Sequence, residues 1–477
     1  MSNYFYYLKN CEYPSDRFYR PDTLYPEYPF KKGGISEKKN DVYQMIRNLF
    51  CNMGFDKENF NTKQWNPLGK YIKEGQTVLI KPNLVLDRNS AEKNKKKGME
   101  CLVTHPSIVR CIMDYVLIAL RGTGKVIIAD APIQDCNFHK LKRTGGYQEL
   151  EEFYRRYGMN DFKIQDLRKV ILKDVDGSLV QSDNTNMKFK TQIINLSTKS
   201  YFYSKNYNGK LRITNYDARD VNDHHSGKVQ EYCLNSICLQ VDVIISIPKP
   251  KTHRLAGYTG ALKNFIGLNA RKEYLPHHRK GDVIRSGDEY PVNDWVKQIS
   301  SFIDDLKNMA YKKNWVLMSD TLNKINNLVM KNHKDQIRYG MWYGNDTIWR
   351  TILDLNRIIN YSDKDGNIRG TKQRHIIHIG DMIVCGEKEG PLSPSYKKVG
   401  GILFADNAVE FDLFLTKLMG FDYLKFPTLK YAMNDKMLFD KSRNIYFNSN
   451  VQKYSGKLLD KIDDFSFIPT SGWKDYI

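Results

Sequence analysis

Short apolar runs and helical spacings alternate along the first third of the chain. The apolar runs at residues 77–80 and 125–129 each predict a short buried strand. Between them, apolar residues at helical spacing over 108–117 predict a helix, with Thr104 as a cap and Pro106 in the first turn. Strand, helix and strand in this order form a βαβ unit, whose strands run parallel.

The same alternation continues toward the C-terminus. Residues near 160–240 alternate between apolar and polar types and predict antiparallel strands. Further buried strands are predicted at residues 241–247, 374–379 and 399–405. Further helices are predicted to begin at Asp41, to span residues 294–311 and 347–360, and to run from Asn407 to Gly420.

These elements predict an α/β fold with a mainly parallel sheet flanked by helices. We expect two lobes, with a cleft at the carboxyl ends of the strands. A length of 477 residues is enough for two or three domains. The predicted division is an extended N-terminal arm over 1–40, a first α/β lobe over 41–290 with an antiparallel insertion near 160–240, a second α/β lobe over 291–435, and an irregular tail over 436–477.

The composition is that of a globular protein, with 41% hydrophobic and 27% charged residues. No apolar run approaches the roughly 18 residues that span a bilayer, and the N-terminus, MSNYFYYLKN, lacks the regions of a signal peptide. We therefore expect a cytoplasmic protein without a membrane partner. None of the eight cysteines forms a C-x-x-C pair, so we expect no zinc ribbon and no iron–sulfur cluster.

The chain is basic, with 74 − 54 = +20 formal charges. A charge of this sign is typical of proteins that bind nucleic acid or another anionic partner. The basic residues are nevertheless dispersed, and no RRM, KH, zinc-finger or helix-turn-helix signature is present. We therefore favour charge spread over the whole surface and keep nucleic-acid binding as an alternative.

Polar residues follow several of the predicted strands, at the positions where ligands bind in open α/β sheets. They are Lys81 and Asn83 after the first strand, Asp130 after the second, residues 249–253 after the third, and Asp381 after the fourth. The two aspartates are candidates for binding a metal ion or orienting a histidine. Their alternative role is to cap the next helix or turn.

The most informative stretch runs from residue 247 to 267. A buried strand leads into a loop of cations, and a glycine-rich turn then leads into a predicted helix start. Glycines let the backbone approach a ligand, and a helix start presents free N–H groups to an anion. The predicted substrate- and anion-binding residues are Lys81, Asn83, Lys249, Lys251, Gly257, Thr259, Gly260 and Asn264.

Three residues are candidates for catalysis. His253 is the expected general acid or base, because histidine titrates near neutral pH. Lys263 is expected to neutralise an anion or, if desolvated, to act as a nucleophile. His105 is either a third catalytic group or the cap of a helix. The adjacent pairs His277-His278 and His224-His225 are interpreted as loop residues.

The ordered motifs of the chain resemble the domain of unknown function 362 family, from about Val78 to Asp422. The motifs are IKPNLV, THPSIV, ADAP, IPKPKTHRLAGYTGALKNFIG, GDMIVCGEKEGP, FADNAVEFD and LMGFD. The resemblance implies an α/β domain of uncharacterised function. Some members carry an added ferredoxin-type cluster, and this chain lacks the cysteine motif for one.

The same stretch is more distantly similar to the lactate racemase family. That family uses a histidine, a glycine-rich turn and a lysine that holds a nickel-pincer nucleotide. His253, Thr259-Gly260 and Lys263 match this arrangement. The cofactor stays undetermined, with a divalent metal ion and a nucleotide-derived group as candidates.

Three functions follow from these observations. The first is an enzyme, isomerase-like, that acts on a small carboxylate or phosphate by racemase- or epimerase-type acid/base chemistry. The second is a non-catalytic module that binds an anionic metabolite or nucleotide. The third, resting on the net charge alone, is a nucleic-acid-associated protein. The sequence does not determine the substrate or the oligomeric state.

Overall fold

The computed structural model describes residues 1–30, 34–175, 178–203 and 207–477. The strands are β1 (Asn3–Tyr7), β2 (Thr77–Pro82), β3 (Lys125–Asp130), β4 (Gln165–Asp166), β5 (Val170–Val175), β6 (Ser178–Asp183), β7 (Thr191–Asn195), β8 (Leu211–Arg212), β9 (His225–Ser226), β10 (Val229–Asn235), β11 (Val243–Ile247), β12 (Lys251–His253), β13 (Gly257–Thr259), β14 (His278–Arg279), β15 (His375–Glu387), β16 (Ser395–Ala405), β17 (Tyr446–Phe447) and β18 (Gly456–Lys457). The helices are α1 (Asp41–Asn52), α2 (Lys95–Leu102), α3 (Pro106–Leu120), α4 (Phe138–Thr144), α5 (Tyr147–Arg156), α6 (Ala218–Asp223), α7 (Ile237–Gln240), α8 (Ala261–Asn264), α9 (Trp295–Lys312), α10 (Val316–Met330), α11 (Ile348–Tyr361), α12 (Ala408–Met419) and α13 (Pro427–Ala432).

A nine-stranded sheet forms the centre of the molecule, which confirms the predicted α/β class. Its order is β1-β16-β15-β11-β2-β3-β4, with β12 and β13 attached beside β15. The neighbours from β15 to β4 pair in parallel, whereas β16 is antiparallel to both β15 and β1. The parallel strands are apolar runs because helices cover both faces of the sheet.

The predicted elements of the first unit are present with small shifts in their ends. Helix α3 begins at Pro106, and the side chain of His105 rather than that of Thr104 caps it. Thr104 instead donates its hydroxyl to the carbonyl of Ile247 at 2.7 Å, which fixes the β2–α3 connection to the end of β11. The N-terminal arm is also more than an extended segment, because β1 pairs with β16 from Asn3↔Ala405 to Tyr7↔Gly401.

The antiparallel strands near residues 160–240 form small separate sheets, β5-β6 and β7-β10-β9. Helices α9 and α10 pack on each other as a hairpin. How the chain divides into domains, and whether a cleft separates two lobes, stay predictions. Within the described ranges, no single helix is long and apolar enough to cross a membrane. One bent pair, α2 with α3, passes that test by length and composition only.

Candidate functional site

Polar side chains from three different strand ends meet in one buried network. Lys81, at the end of β2, donates to Asp130 Oδ1 at 2.7 Å and to Asn264 Oδ1 at 3.1 Å. Asn83 donates its Nδ2 to the same Asn264 oxygen at 3.2 Å and accepts from Lys251 Nζ at 2.7 Å. The structure therefore brings together five of the residues predicted for the site, and ties them to one another.

A second buried cluster lies where the residues after β11 meet β15. The prediction that Asp381 follows its strand is wrong, because β15 continues to Glu387 and Asp381 lies in its middle. Lys249 Nζ lies 3.0 Å from Asp381 Oδ2, and both side chains are inaccessible to solvent. Tyr13, from the N-terminal arm, donates its hydroxyl to Asp381 Oδ1 at 2.7 Å and accepts from Lys249 at 2.7 Å. The backbone N–H of His105 donates to Asp381 Oδ2 at 2.8 Å, and the ring of His105 stacks on Tyr13 with centroids 3.8 Å apart.

His105 has a structural role in this arrangement. Its Nδ1 accepts from the backbone N–H of Ser107 at 3.2 Å and lies 2.8 Å from the hydroxyl of the same residue. Burial lowers its pKa well below the usual value, and the cation of Lys249 adds to this effect. The alternative weighed for His105, a helix cap, is therefore the one that the geometry shows.

The two aspartates proposed for a metal ion are already saturated by protein donors. Asp130 accepts from Lys81, from the N–H of Leu84 at 2.6 Å and from its neighbour's N–H at 3.0 Å. Both oxygens of Asp381 are likewise occupied, as described above. In the part of the chain that the structure describes, no group of three histidine, cysteine or acidic residues could hold a metal ion. The carboxylates anchor lysines, so we no longer assign them to a metal.

The helix start predicted to bind an anion is capped by the protein itself. Asp412 accepts from the backbone N–H of Ala261 at 2.6 Å and of Leu262 at 3.2 Å, so its carboxylate stands where a ligand was expected. A Cβ at Gly260 would lie 2.1 Å from Asp412 Oδ1, which explains that glycine. Gly257 has a φ of +80°, in the left-handed region. Both glycines therefore serve packing and turn geometry.

The loop before this helix start contains a buried hydroxyl without a partner and is contacted by the residues after β15. Thr259 Oγ1 is buried and has no hydrogen-bond partner among the described residues. The residues after β15 cover β12, where Thr252 donates to the Lys388 carbonyl at 2.7 Å. Arg254 Nε pairs with Glu389 at 2.8 Å, and both side chains are partly exposed. This ion pair marks the solvent side of the β12–β13 loop.

His253 is buried, and its hydrogen bonds determine which ring nitrogen carries the proton. Nδ1 accepts from the backbone N–H groups of Leu255 at 3.0 Å and Ala256 at 3.2 Å. Burial lowers the pKa of His253 well below 6.5, and the cation of Lys263 lowers it further. The neutral ring therefore carries its proton on Nε2. This nitrogen is a hydrogen-bond donor, which does not favour the general-base role that the sequence suggested.

Lys263 is the lysine of this site with neither a carboxylate nor a hydrogen-bond partner in the part of the chain that the structure describes. Across the described ranges, no carboxylate lies within ion-pair distance of its Nζ and no hydrogen bond holds it. Burial lowers its pKa to about 8, and the nearby Lys81 adds to the effect. An ammonium group that has no partner in the protein is available to an anionic ligand.

His277 belongs to the same neighbourhood, although the sequence suggested only a loop residue. Its Nδ1 lies 2.6 Å from the carbonyl of Leu275, so Nδ1 carries the proton and Nε2 has a free lone pair. Burial lowers its pKa to about 4, with Lys263 contributing, and His277 in turn lowers the pKa of His253. His277 thus presents an unprotonated Nε2, and the adjacency of two loop histidines is its only signal in the sequence.

Comparison with known proteins gives a family and little more. A family model described as "Domain of unknown function (DUF362)" matches residues 171–417, more than half of the 477 residues. No curated protein matches the chain. A crystal structure of a Thermotoga maritima protein aligns at 10% identity with a TM-score of 0.29, over 75% of this chain and 55% of that one. The chain therefore spans about half the length of that protein. Similarity to lactate racemases is not shown.

Proposed function

The protein belongs to the domain of unknown function 362 family, and because that name specifies no chemistry, we propose a function from the geometry of the site. We propose an enzyme that binds a small carboxylate or phosphate and moves a proton at the neighbouring carbon, as in racemisation or epimerisation. The observation that carries the proposal is a lysine without a counter-ion beside two neutral histidines. In one histidine the Nε2 atom carries the proton and can donate, and in the other the Nε2 atom has a free lone pair and can accept.

The anion-binding part of the proposal rests on a contrast among four lysines. Lys81 and Lys249 lie 2.7 and 3.0 Å from buried aspartates, so their charges are compensated. Lys251 and Lys263 have no carboxylate partner in the described part of the chain. Lys251 is nevertheless held by Asn83 and the Leu102 carbonyl. Lys263 is therefore the residue that a bound anion would compensate.

The proton-transfer part rests on the two histidines. His277 Nε2 has the lone pair needed to take a proton from the carbon beside a carboxylate. The electron pair of the broken C–H bond then moves onto the carboxylate, where the Lys263 ammonium and the His253 Nε2–H stabilise it. Return of the proton from His277 to the same face regenerates the substrate and produces only exchange with solvent. Delivery of a proton from the Lys263 ammonium to the opposite face inverts the carbon, after which His277 releases its proton to solvent and Lys263 takes one up.

The test is proton exchange, because it does not require the product to be known. A panel of chiral 2-hydroxy and 2-amino carboxylates is incubated with the protein in D2O, and loss of the C–H signal is followed by NMR. We expect exchange in at least one compound and none with His277→Gln. The matched control is His224→Gln, because His224 lies against Glu231 at 2.9 Å, away from Lys263.

The outcomes separate the three functions weighed for this chain. Carboxylate binding without exchange would favour a non-catalytic binding module. Exchange that persists in His277→Gln would refute the assignment of the base. Absence of any anion response, together with tight duplex binding that survives high salt, would favour a nucleic-acid-associated protein.

A further inference from the structure

A cavity of about 530 Å³ lies at the edge of the sheet opposite the candidate site. It opens beside the first residues of β11 and β15, the amino ends of the parallel strands. Because β16 is antiparallel to β15, its carboxyl end lies at this edge instead, followed directly by Asp406 and Asn407. Asn407 caps α12, so a strand-to-helix turn of the kind that binds ligands faces the cavity.

Five of the residues that line this cavity each carry a buried polar atom that has no hydrogen-bond partner among the described residues. These atoms are Tyr71 OH, Asn356 Oδ1, Arg374 Nε, His378 Nδ1 and Asp406 Oδ1. The side chains of Asn356, Arg374 and His378 are at most 6% exposed. Buried polar atoms are paired in nearly all proteins, so this concentration around one cavity points to a ligand or ordered water.

The five atoms combine donors and acceptors. Arg374 Nε donates, while the oxygens of Asn356 and Asp406 accept, because the Asn356 Nδ2 group already donates to the carbonyls of Leu262 and Ile352. The Tyr71 hydroxyl does either, and so does the His378 nitrogen, according to its tautomer. A ligand that satisfies all five must donate and accept over its whole surface. Hydroxyl groups have this property.

The charges around the cavity nearly balance. The lining contains Lys372, Arg374 and Arg443 against Asp242 and Asp406. Two of the cations are engaged. Arg443 pairs with Glu410 at 2.8 Å and lies 4.0 Å from Asp406 Oδ1, and the terminal nitrogens of Arg374 donate to backbone carbonyls. No partner is found for Lys372 within the described ranges. The cavity therefore suits a ligand that is polar and mostly uncharged, with at most one anionic group, which would lie near Lys372.

We propose that this cavity is a binding site for a polyol of monosaccharide size, either a free sugar or a sugar phosphate. A volume of about 530 Å³ is within the range of small-molecule sites. The site does not depend on the proton-transfer chemistry proposed above, because it lies at the opposite edge of the sheet and uses none of the same residues.

The experiment is calorimetric titration of the full chain with four probes: ribose, glucose, ribose 5-phosphate and inorganic phosphate. Tyr71→Phe removes one unpartnered hydroxyl and little else. Its matched control is Tyr207→Phe, because the Tyr207 hydroxyl is also buried and unpartnered but lies outside the cavity. Asp406→Asn provides a second cavity variant if Tyr71→Phe does not fold, and Lys372→Met distinguishes the two forms of the ligand.

We expect a sugar to bind and Tyr71→Phe to weaken it by about fivefold, the effect of one neutral hydrogen bond. Asp406→Asn should weaken it by about tenfold or more, the effect of a hydrogen bond to a charged group. Tyr207→Phe should leave the affinity unchanged. If the ligand is a sugar phosphate, Lys372→Met weakens ribose 5-phosphate and not ribose. Three results would overturn the proposal: no polyol binds, a polyol binds equally to both cavity variants, or inorganic phosphate binds as tightly as ribose 5-phosphate.

Discussion

Replacing Lys263 by methionine should stabilise the ligand-free protein and remove its response to anions. Methionine keeps the length of the side chain and removes only its charge. A lysine that holds the fold together has the opposite effect when it is replaced. The sign of the stability change therefore separates a ligand-binding lysine from a structural one.

The magnitude follows from the pKa of Lys263, which burial lowers from 10.5 to about 8. Because the folded pKa lies below the unfolded one, the cost of charging this lysine is fully present below pH 8. That cost disappears as the pH rises through 10.5. The shift corresponds to at most about 3 kcal/mol, and solvent screening of the partly exposed amine reduces this to about 1–2 kcal/mol. Lys263→Met should gain this amount at pH 7.

The second half of the prediction concerns the anion. A ligand at a hundred times its Kd stabilises the native protein by about 2.7 kcal/mol. Loss of a hydrogen bond to a charged group costs about 1.5–3 kcal/mol, which raises the Kd by about 10- to 150-fold. The stabilisation by the same anion concentration should then fall below about 1.4 kcal/mol. In the wild type it should also decline as the pH rises through about 8, where Lys263 loses its charge.

The assay is urea unfolding at pH 7 with and without phosphate, and Lys249→Met is the matched control. Lys249 pairs with the buried Asp381 at 3.0 Å, so its replacement leaves an uncompensated carboxylate and should cost about 3–5 kcal/mol. A Lys263→Met protein that is destabilised like Lys249→Met would refute the reasoning. So would one that keeps the full phosphate response.

Three further predictions concern other parts of the molecule. Once a substrate is found, kcat/KM should fall as the pH drops through about 4, where His277 is protonated, and as it rises through about 8, and His277→Gln should remove the activity. Tyr13→Phe should destabilise the protein by about 1–3 kcal/mol in urea unfolding, because the Tyr13 hydroxyl bridges Lys249 and Asp381, and an unchanged midpoint would contradict this. Any nucleic-acid binding should be sequence-independent and should disappear at high salt in a filter-binding assay, since the +20 charge is dispersed.

Local signals in the sequence predicted much of the fold. Asn407 was expected to cap a helix that ends at Gly420, and α12 runs from Ala408 to Met419 with Gly420 at a φ of 83°. Such signals depend on neighbours within a few residues. The helix α10 was missed, because its apolar residues are not confined to one face, and Leu317 is 83% exposed.

The composition of the site was only partly predictable, because its decisive contacts are remote in sequence. Asp412 lies 151 residues from the helix start that it caps, and no sequence pattern near residue 260 predicts this contact. Likewise, the sequence shows a histidine at position 277 but not the Leu275 carbonyl contact that leaves its Nε2 free. Residue type was therefore informative, whereas protonation state and pairing required coordinates.

The surrounding partners distinguish the lysines that anchor the fold from Lys263, the lysine proposed to bind the anion. Lys81 and Lys249 meet aspartates at 2.7 and 3.0 Å, so each pair is neutral and ties one parallel strand to the next. Rigid, compensated pairs of this kind keep the adjacent loop in place without attracting a ligand. Lys263 follows the same loop and has no such partner in the described part of the chain. An anion that enters beside His253 and His277 would therefore meet the Lys263 ammonium on a fixed scaffold, which is the arrangement that favours stabilisation of negative charge during proton transfer.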